Sequence, residues 1–218
     1  MSLKKYKTVL SGEVFEAEYE INKSKFIAHV KQVEDEETAK TFLQQLKKKY
    51  FDATHNCSAW VLGVDGSKQK SNDDGEPVGT AGNPILETIK NNELVNTIVV
   101  VTRYFGGIKL GAGGLIRAYS HTAALGLSAS KIVTMTPMQK IDITVDYNLL
   151  ANVENWIRNK NITVESKGYT DNVTLSLLLL PEEVETRLTE LKDLTSANFS
   201  HKLNDEILVA IETRKKDD

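Results

Sequence analysis

The sequence predicts an α+β protein in two domains, a mixed N-terminal domain over residues 1–136 and a ferredoxin-like βαββαβ domain over residues 137–218. Three observations carry this expectation. The last eighty or so residues alternate strand and helix patterns in the order of the split βαβ unit, and a size near eighty residues suits a separate domain. Met135-Thr136-Pro137 reads as a short turn between the two parts. The part before it mixes a hairpin with helical patterns around an unusual glycine loop.

Taken in order, residues 14–21 and 25–33 alternate as strands, with Asn22-Lys23-Ser24 as the polar turn of a hairpin. From Asp35, first-turn acids and the set Ala39, Phe42, Leu43, Leu46 and Tyr50 make an amphipathic helix, with Lys47, Lys48 and Lys49 as a solvated C-terminal end. A strand over 56–64 precedes a long acidic loop running to about Gly79. Asn83-Pro84 starts a short helix, with Asn as N-cap and Pro at the first helical position. A strand over 95–103, the glycine loop and a helix over about 113–129 follow.

In the second part, residues 139–147 alternate as a strand and Asn148 caps a helix carrying Leu149, Val153, Trp156 and Ile157. Residues 162–169 and 173–180 form a strand pair about a Gly168/Asp171-Asn172 turn, Pro181-Glu182-Glu183 opens a second helix, and residues 206–212 supply a last strand. The tail 214–218 reads as frayed. Trp60 and Trp156 are expected in cores, not as base-stacking platforms, because no basic and aromatic interleaving surrounds them.

A chain that is 40% hydrophobic and 26% charged has the composition of an ordinary globular protein. Its single cysteine, Cys57, excludes an internal disulfide framework and suits a reducing compartment. There is neither a signal-peptide pattern nor an apolar stretch of membrane-spanning length, so the reading is a cytoplasmic protein with no membrane partner. The net charge of −3 argues against bare nucleic acid as the main partner. Residues 1–136 nevertheless hold 17 Lys and Arg against 15 Asp and Glu, while the remainder holds 10 against 15, so any contact with RNA phosphates falls on the N-terminal part.

Residues 103–119, RYFGGIKLGAGGLIRAY, concentrate five glycines and three cationic side chains. Gly106, Gly107, Gly111, Gly113 and Gly114 mean either turns through positive φ or close approach to main-chain amides. A strand, a glycine loop and a helix start leave free N–H groups for a phosphate-like anion, with Arg103, Lys109 and Arg117 adding charge. Two familiar phosphate loops fail by spacing. Ala112 and Gly113 stand where a Walker loop needs Lys and Ser or Thr, and Ile116 occupies the last glycine of a dinucleotide fingerprint. Glycines that only permit a turn and close helix packing explain the segment equally well.

The blocks DDGEPVGTAGNP (73–84) and RYFGGIKLGAGGLIRAY (103–119), preceded by THNCSAW (54–60), resemble the signature of the IMPACT family, in its bacterial YigZ/YvyE-like branch. With the βαββαβ tail, the resemblance covers nearly the whole chain. It implies an N-terminal α/β sandwich similar to the fourth domain of elongation factor G and a ribosomal-protein-type fold, with the tail similar to the fifth. It also implies association with translation regulation. In eukaryotic relatives the domain competes for an activator of a starvation-responsive kinase, and only the broader link to the ribosome, RNA or a translation-associated protein carries over to this chain.

His55 and Cys57 share one face of their strand, and a thiol–imidazole pair there would suit an enzyme acting on a small phosphorylated or peptide-like substrate. A buried thiol beside a satisfied histidine is the plainer reading. Asp73, Asp74 and Glu76 could bind a cation or do acid/base work. Alternatively they cap the N–H groups of a following turn or pair with Arg103 or Arg117, which would bring the two signature loops together. His121 lies one turn after Arg117 on the same helix face. Neither a metal site nor a cofactor is expected, because one Cys and scattered His lack ligand spacing. The leading expectation is a noncatalytic translation-associated factor, with the enzyme and a protein-interaction adaptor as alternatives.

Overall fold

The computed structural model describes residues 3–212, and the tail 214–218 lies outside them. The chain divides into two compact units, one built on residues 5–135 and the other on residues 136–209.

The first unit has a five-stranded antiparallel sheet in the order β2-β3-β6-β4-β5. Its strands are β2 (Val14–Ile21), β3 (Ser24–Gln32), β4 (His55–Leu62), β5 (Lys68–Asn72) and β6 (Thr97–Tyr104). Asn22 and Lys23 both take positive φ, 47° and 63°, which makes the tight primed turn that joins β2 to β3. β1 (Tyr6–Val9) pairs instead with residues 132–135 of β7 (Ile132–Val145). β1 and β5 both fall outside the sequence expectation.

Helices cover both faces of this sheet. On one side lie α2 (Gly82–Asn91) and α3 (Gly111–Ala129). Ile85, Ile89, Leu115, Tyr119, Ala123 and Leu127 pack there on the strand residues Phe26, Ala28, Val30, Cys57, Ala59, Val99 and Val101. A Cβ on Gly126 would stand 2.8 Å from the Ala28 methyl, so the glycine lets α3 lie close on β3. On the other side, α1 (Glu36–Lys49) sets Ala39, Phe42 and Leu46 against Val33, Trp60, Leu62, Ile98 and Val100. Asp35 starts α1 by accepting a 2.7 Å bond from the Thr38 amide, as an N-cap does. Central strands covered on both faces explain the continuous apolar runs of β4 and β6.

In the second unit, residues 139–145 of β7 pair with β9 (Val173–Leu179), β9 pairs with β8 (Thr163–Tyr169), and β10 (Ser200–Glu212) pairs with β7. α4 (Tyr147–Asn159) begins two residues earlier than expected, with Asp146 instead of Asn148 at the cap position. A 3-10 turn at Pro181–Glu183 leads into α5 (Val184–Leu194). Ile141, Ile143, Val153, Trp156, Leu175, Leu177 and Leu191 form the core. Trp156 and Lys160 both donate to the Glu190 carboxylate, and these donors, Lys160 foremost, hold that carboxyl down at about 2. The whole is a mixed α/β protein with two antiparallel sheets. Among the described residues no helix is long and apolar enough to cross a membrane.

Candidate functional site

The acid loop and the glycine loop do meet, through a buried ion pair. Arg103, at the end of β6, donates to Glu76 Oε1 at 2.5 Å, and the two residues are only 5% and 8% exposed. Tyr119 of α3 donates its hydroxyl proton to the same oxygen at 2.8 Å. Glu76 therefore ties the strand that enters the glycine loop to the helix that leaves it. Burying a carboxylate is tolerable only with such partners. The expected pairing of an acid with Arg103 is present, but the site residue Arg103 is corrected as a phosphate contact: its guanidinium is enclosed, lying 5.3 Å from the Phe26 ring and 5.5 Å from the Phe105 ring.

The other two acids are also engaged internally. Asp73 Oδ2 accepts from the Gly79 amide at 2.8 Å, and its Oδ1 accepts from Ala81 and Gly82 at 3.0 and 2.8 Å. It thus caps α2 from eight residues upstream. This corrects the expected Asn83 cap: the helix begins at Gly82, and the Asn83 side-chain Oδ1 accepts from the Ser71 hydroxyl instead. Burial pushes the Asp73 carboxyl up, but its three amide donors together outweigh that and hold it below its ordinary value. A depressed carboxyl stabilises the fold above its unfolded value, roughly pH 3.9, and that contribution disappears as pH falls through the folded value. Asp73→Ala is expected to cost about 2 kcal/mol at pH 7. The difference from the parent protein should shrink by pH 3 in urea titrations.

Asp74 sits at positive φ of 46°, beside Gly75 at 88°. One of its carboxylate oxygens takes the Asn56 amide at 2.7 Å, and the other takes the Lys47 ammonium. Lys47 is consequently a clamp on the loop, a correction to its reading as a solvated helix end. Asp74 pairs with neither Arg103 nor Arg117. A cation site built from the three acids has little left to offer, and among the described residues no group of three potential metal ligands converges.

His55 and Cys57 both point from β4 at the acid loop. The His55 Nδ1 lies 2.8 Å from the Asp74 carbonyl, an acceptor only, so Nδ1 carries a proton. Its Nε2 stands 3.8 Å from Glu76 Oε2. The Cys57 thiol faces the Asp73 carbonyl at 3.0 Å and the Tyr119 hydroxyl at 3.3 Å, not the imidazole. Cys57 is wholly buried, and burial pushes its thiol up to about 12. The nucleophile role is thereby corrected, because attack needs an accessible thiolate. A disulfide-exchange reagent at pH 8 is expected to find no thiol in the folded protein and one equivalent in urea.

The glycines divide by role. A Cβ on Gly106 would fall 2.0 Å from the Lys23 carbonyl group, so this residue seats the loop on the β2–β3 turn. Gly107 and Gly111 take φ of 85° and 69° in open space, which are turn conformations suited to glycine. Gly113 is exposed, and the Arg117 guanidinium folds back to within 3.5 Å of where its Cβ would be. Gly114 lies under Leu110. No side chain caps the first turn of α3. Lys109 and Arg117 are exposed, as are large parts of Val78, Phe105, Ile108 and Ile116. Phe105 is half exposed while covering Arg103.

Tyr119 and Lys47 are the network members that sequence reasoning missed. Tyr119 closes the glycine block and falls one turn after Leu115 on the buried face of α3, which is the one signal that could have placed it inside.

Comparison with known proteins fits this geometry. The Impact N-terminal domain matches residues 22–127, and a domain of unknown function, DUF1949, matches residues 143–198. The IMPACT family member YvyE of Bacillus subtilis (strain 168) is 46% identical, over 80% of this chain and 79% of its own length. The chain belongs to the IMPACT family. A second IMPACT family member, YigZ of Escherichia coli (strain K12), is 33% identical over 83% of this chain and 89% of its own. A crystal structure described as that of a hypothetical protein superposes with a TM-score of 0.59 at 28% identity, covering 93% of this chain and 98% of that one. The network thus lies within the part of the chain that the Impact N-terminal domain spans.

Proposed function

We propose that this IMPACT family protein is a noncatalytic factor associated with translation regulation, whose N-terminal signature surface contacts ribosomal RNA or a ribosome-bound protein. The observation that carries the reading is the division of labour among the signature residues. All three acids are engaged by protein donors, Glu76 in the interior and Asp73 and Asp74 half-buried, whereas Lys109, Arg117 and the uncapped first turn of α3 are exposed. Carboxylates already occupied by the protein's own donors, beside an open helix start, suit a phosphate-like anion. The buried, high-lying thiol of Cys57 weighs against the enzyme reading.

The domain division at residue 136 and the fold likenesses belong to the same reading. The strand order β10-β7-β9-β8 supports a ferredoxin-like C-terminal domain. Likeness to the fourth and fifth domains of elongation factor G would place the chain among translation factors, in the cytoplasm. Ribosome co-sedimentation across a salt series tests it. Binding should weaken with salt and weaken further in Lys109→Ala and Arg117→Ala; co-sedimentation indifferent to both variants and to salt would sink the proposal.

A further inference from the structure

β5 is one of the two edges of the first unit's sheet, the other being β2. It pairs with β4 in the register Leu62 to Lys68, Trp60 to Lys70 and Ser58 to Asn72, so Lys68, Lys70 and Asn72 lie on the α1 face. Among the described residues, no backbone group of 68–72 bonds to anything but β4, which leaves the outward N–H and C=O groups of this strand open. Along the same face a groove of about 570 Å3 runs between the strand and α1, with Ala39, Leu43, Trp60 and Ile98 as its apolar part. The strand side is basic, and among the described residues neither Lys68 nor Lys70 has an ion pair. The acids of the groove, Glu36 and Glu37, stand on the helical rim. At the other edge the acids are already matched, Glu16 beside His29 and Lys49 and Glu18 beside Lys25.

We infer that β5 receives an extended acidic peptide of a partner protein as a sixth strand of the sheet. The outward groups recur every two residues, about 7 Å along the strand, with donor beside acceptor, and a peptide main chain is their complement. RNA would offer phosphates to the lysines but has no alternating amide row, and in the groove those phosphates would meet Glu36 and Glu37. A second copy of this chain, pairing β5 to β5 about a two-fold axis centred on Gln69 or Lys70, would set a lysine opposite a lysine. Acids at two alternate positions of a peptide fall opposite Lys68 and Lys70 instead, and a large apolar residue next on that face reaches the groove over Trp60. The inference goes beyond translation association and does not rest on it, since it uses neither Lys109 nor Arg117.

The test is fluorescence anisotropy of the full chain with a labelled seven-residue probe, Thr-Glu-Thr-Glu-Thr-Phe-Thr, which should bind, whereas the same peptide with lysine for each glutamate should not. Lys70→Glu should weaken binding of the probe about fivefold or more and should bind the lysine peptide in its place. N-methylation reads the backbone pairing. Methyl groups on the Glu and Phe amides block one edge of the peptide and methyl groups on the Thr amides block the other, so one pattern should abolish binding and the other should leave it. Lys109→Glu should leave the peptide affinity unchanged, which separates this edge from the surface proposed for the ribosome. Both lysines are exposed, and circular dichroism checks that each variant is folded. No binding up to about 1 mM probe, or binding indifferent to both methylation patterns, would overturn the inference. So would a labelled oligouridylate that binds the chain and is weakened by Lys70→Glu as much as the peptide is, which would give the edge to RNA. Self-association of the chain that Lys70→Glu abolishes would give it to a second copy and would overturn the inference equally.

Discussion

Replacing Glu76 by alanine is expected to destabilise the protein by about 3–5 kcal/mol, the largest effect of any single change at the signature loops. The reason is what it leaves behind. Arg103 NH1 would lose its acceptor while still enclosed by Phe26 and Phe105, and its Nε has no hydrogen-bond partner even in the intact protein. Tyr119 would lose its acceptor too. An uncompensated buried charge, not the loss of an attraction, dominates the penalty. Glu76→Gln combined with Arg103→Met should therefore recover much of the stability, since a buried pair replaced on both sides is often neutral. Urea denaturation of the two single variants and the double variant measures this, and a double variant no more stable than Glu76→Ala would refute it.

Gly106→Ala should have the second-largest effect, about 3 kcal/mol, at the upper end for overpacking. Its methyl would fall 2.0 Å from backbone atoms of Lys23 and 2.5 Å from the Ser24 amide nitrogen, and backbone cannot step aside as a flexible side chain can. Either the β2–β3 turn or the glycine loop must move. The Gly106 amide would also lose its 3.2 Å bond to the Ser24 hydroxyl. Gly107→Ala provides the contrast: open space surrounds it, so only its φ of 85° is at stake, at about 1 kcal/mol. Thermal or urea unfolding that ranks the two variants in the opposite order would mean that the loop is not seated on the hairpin as described.

The parts of the fold that were legible are those where local chemistry agrees with tertiary packing. Asn22-Lys23 is a polar pair between two alternating strands, and it adopts the turn conformation that such pairs favour. Asp35 and the acids after it mark the start of α1 with equal clarity. β5 was not legible because KQKSN contains no apolar residue; it becomes a strand only by pairing with the edge of β4. The four-residue β1 likewise depends on β7, far along the chain.

At the site, the sequence located the surface but misjudged which charges face out. Glu76 and Arg103 are separated by 27 positions, and nothing local says which acid of three enters the interior. Lys47 looked like the ordinary basic end of a helix, and only the folded loop brings Asp74 to it. The same holds for His29, buried beside Glu16 at 2.9 Å and Thr102 at 3.2 Å, whose burial lowers its proton affinity; alternation alone placed it on a strand, not in a polar chain.

Amide hydrogen exchange on Glu76→Gln most directly tests the coupling of the two loops. If Glu76 joins them, exchange should rise together in residues 73–82 and 105–114, while α1 and the β4–β6 ladder remain protected. Faster exchange confined to the acid loop, with the glycine loop unchanged, would show that the two segments are held independently.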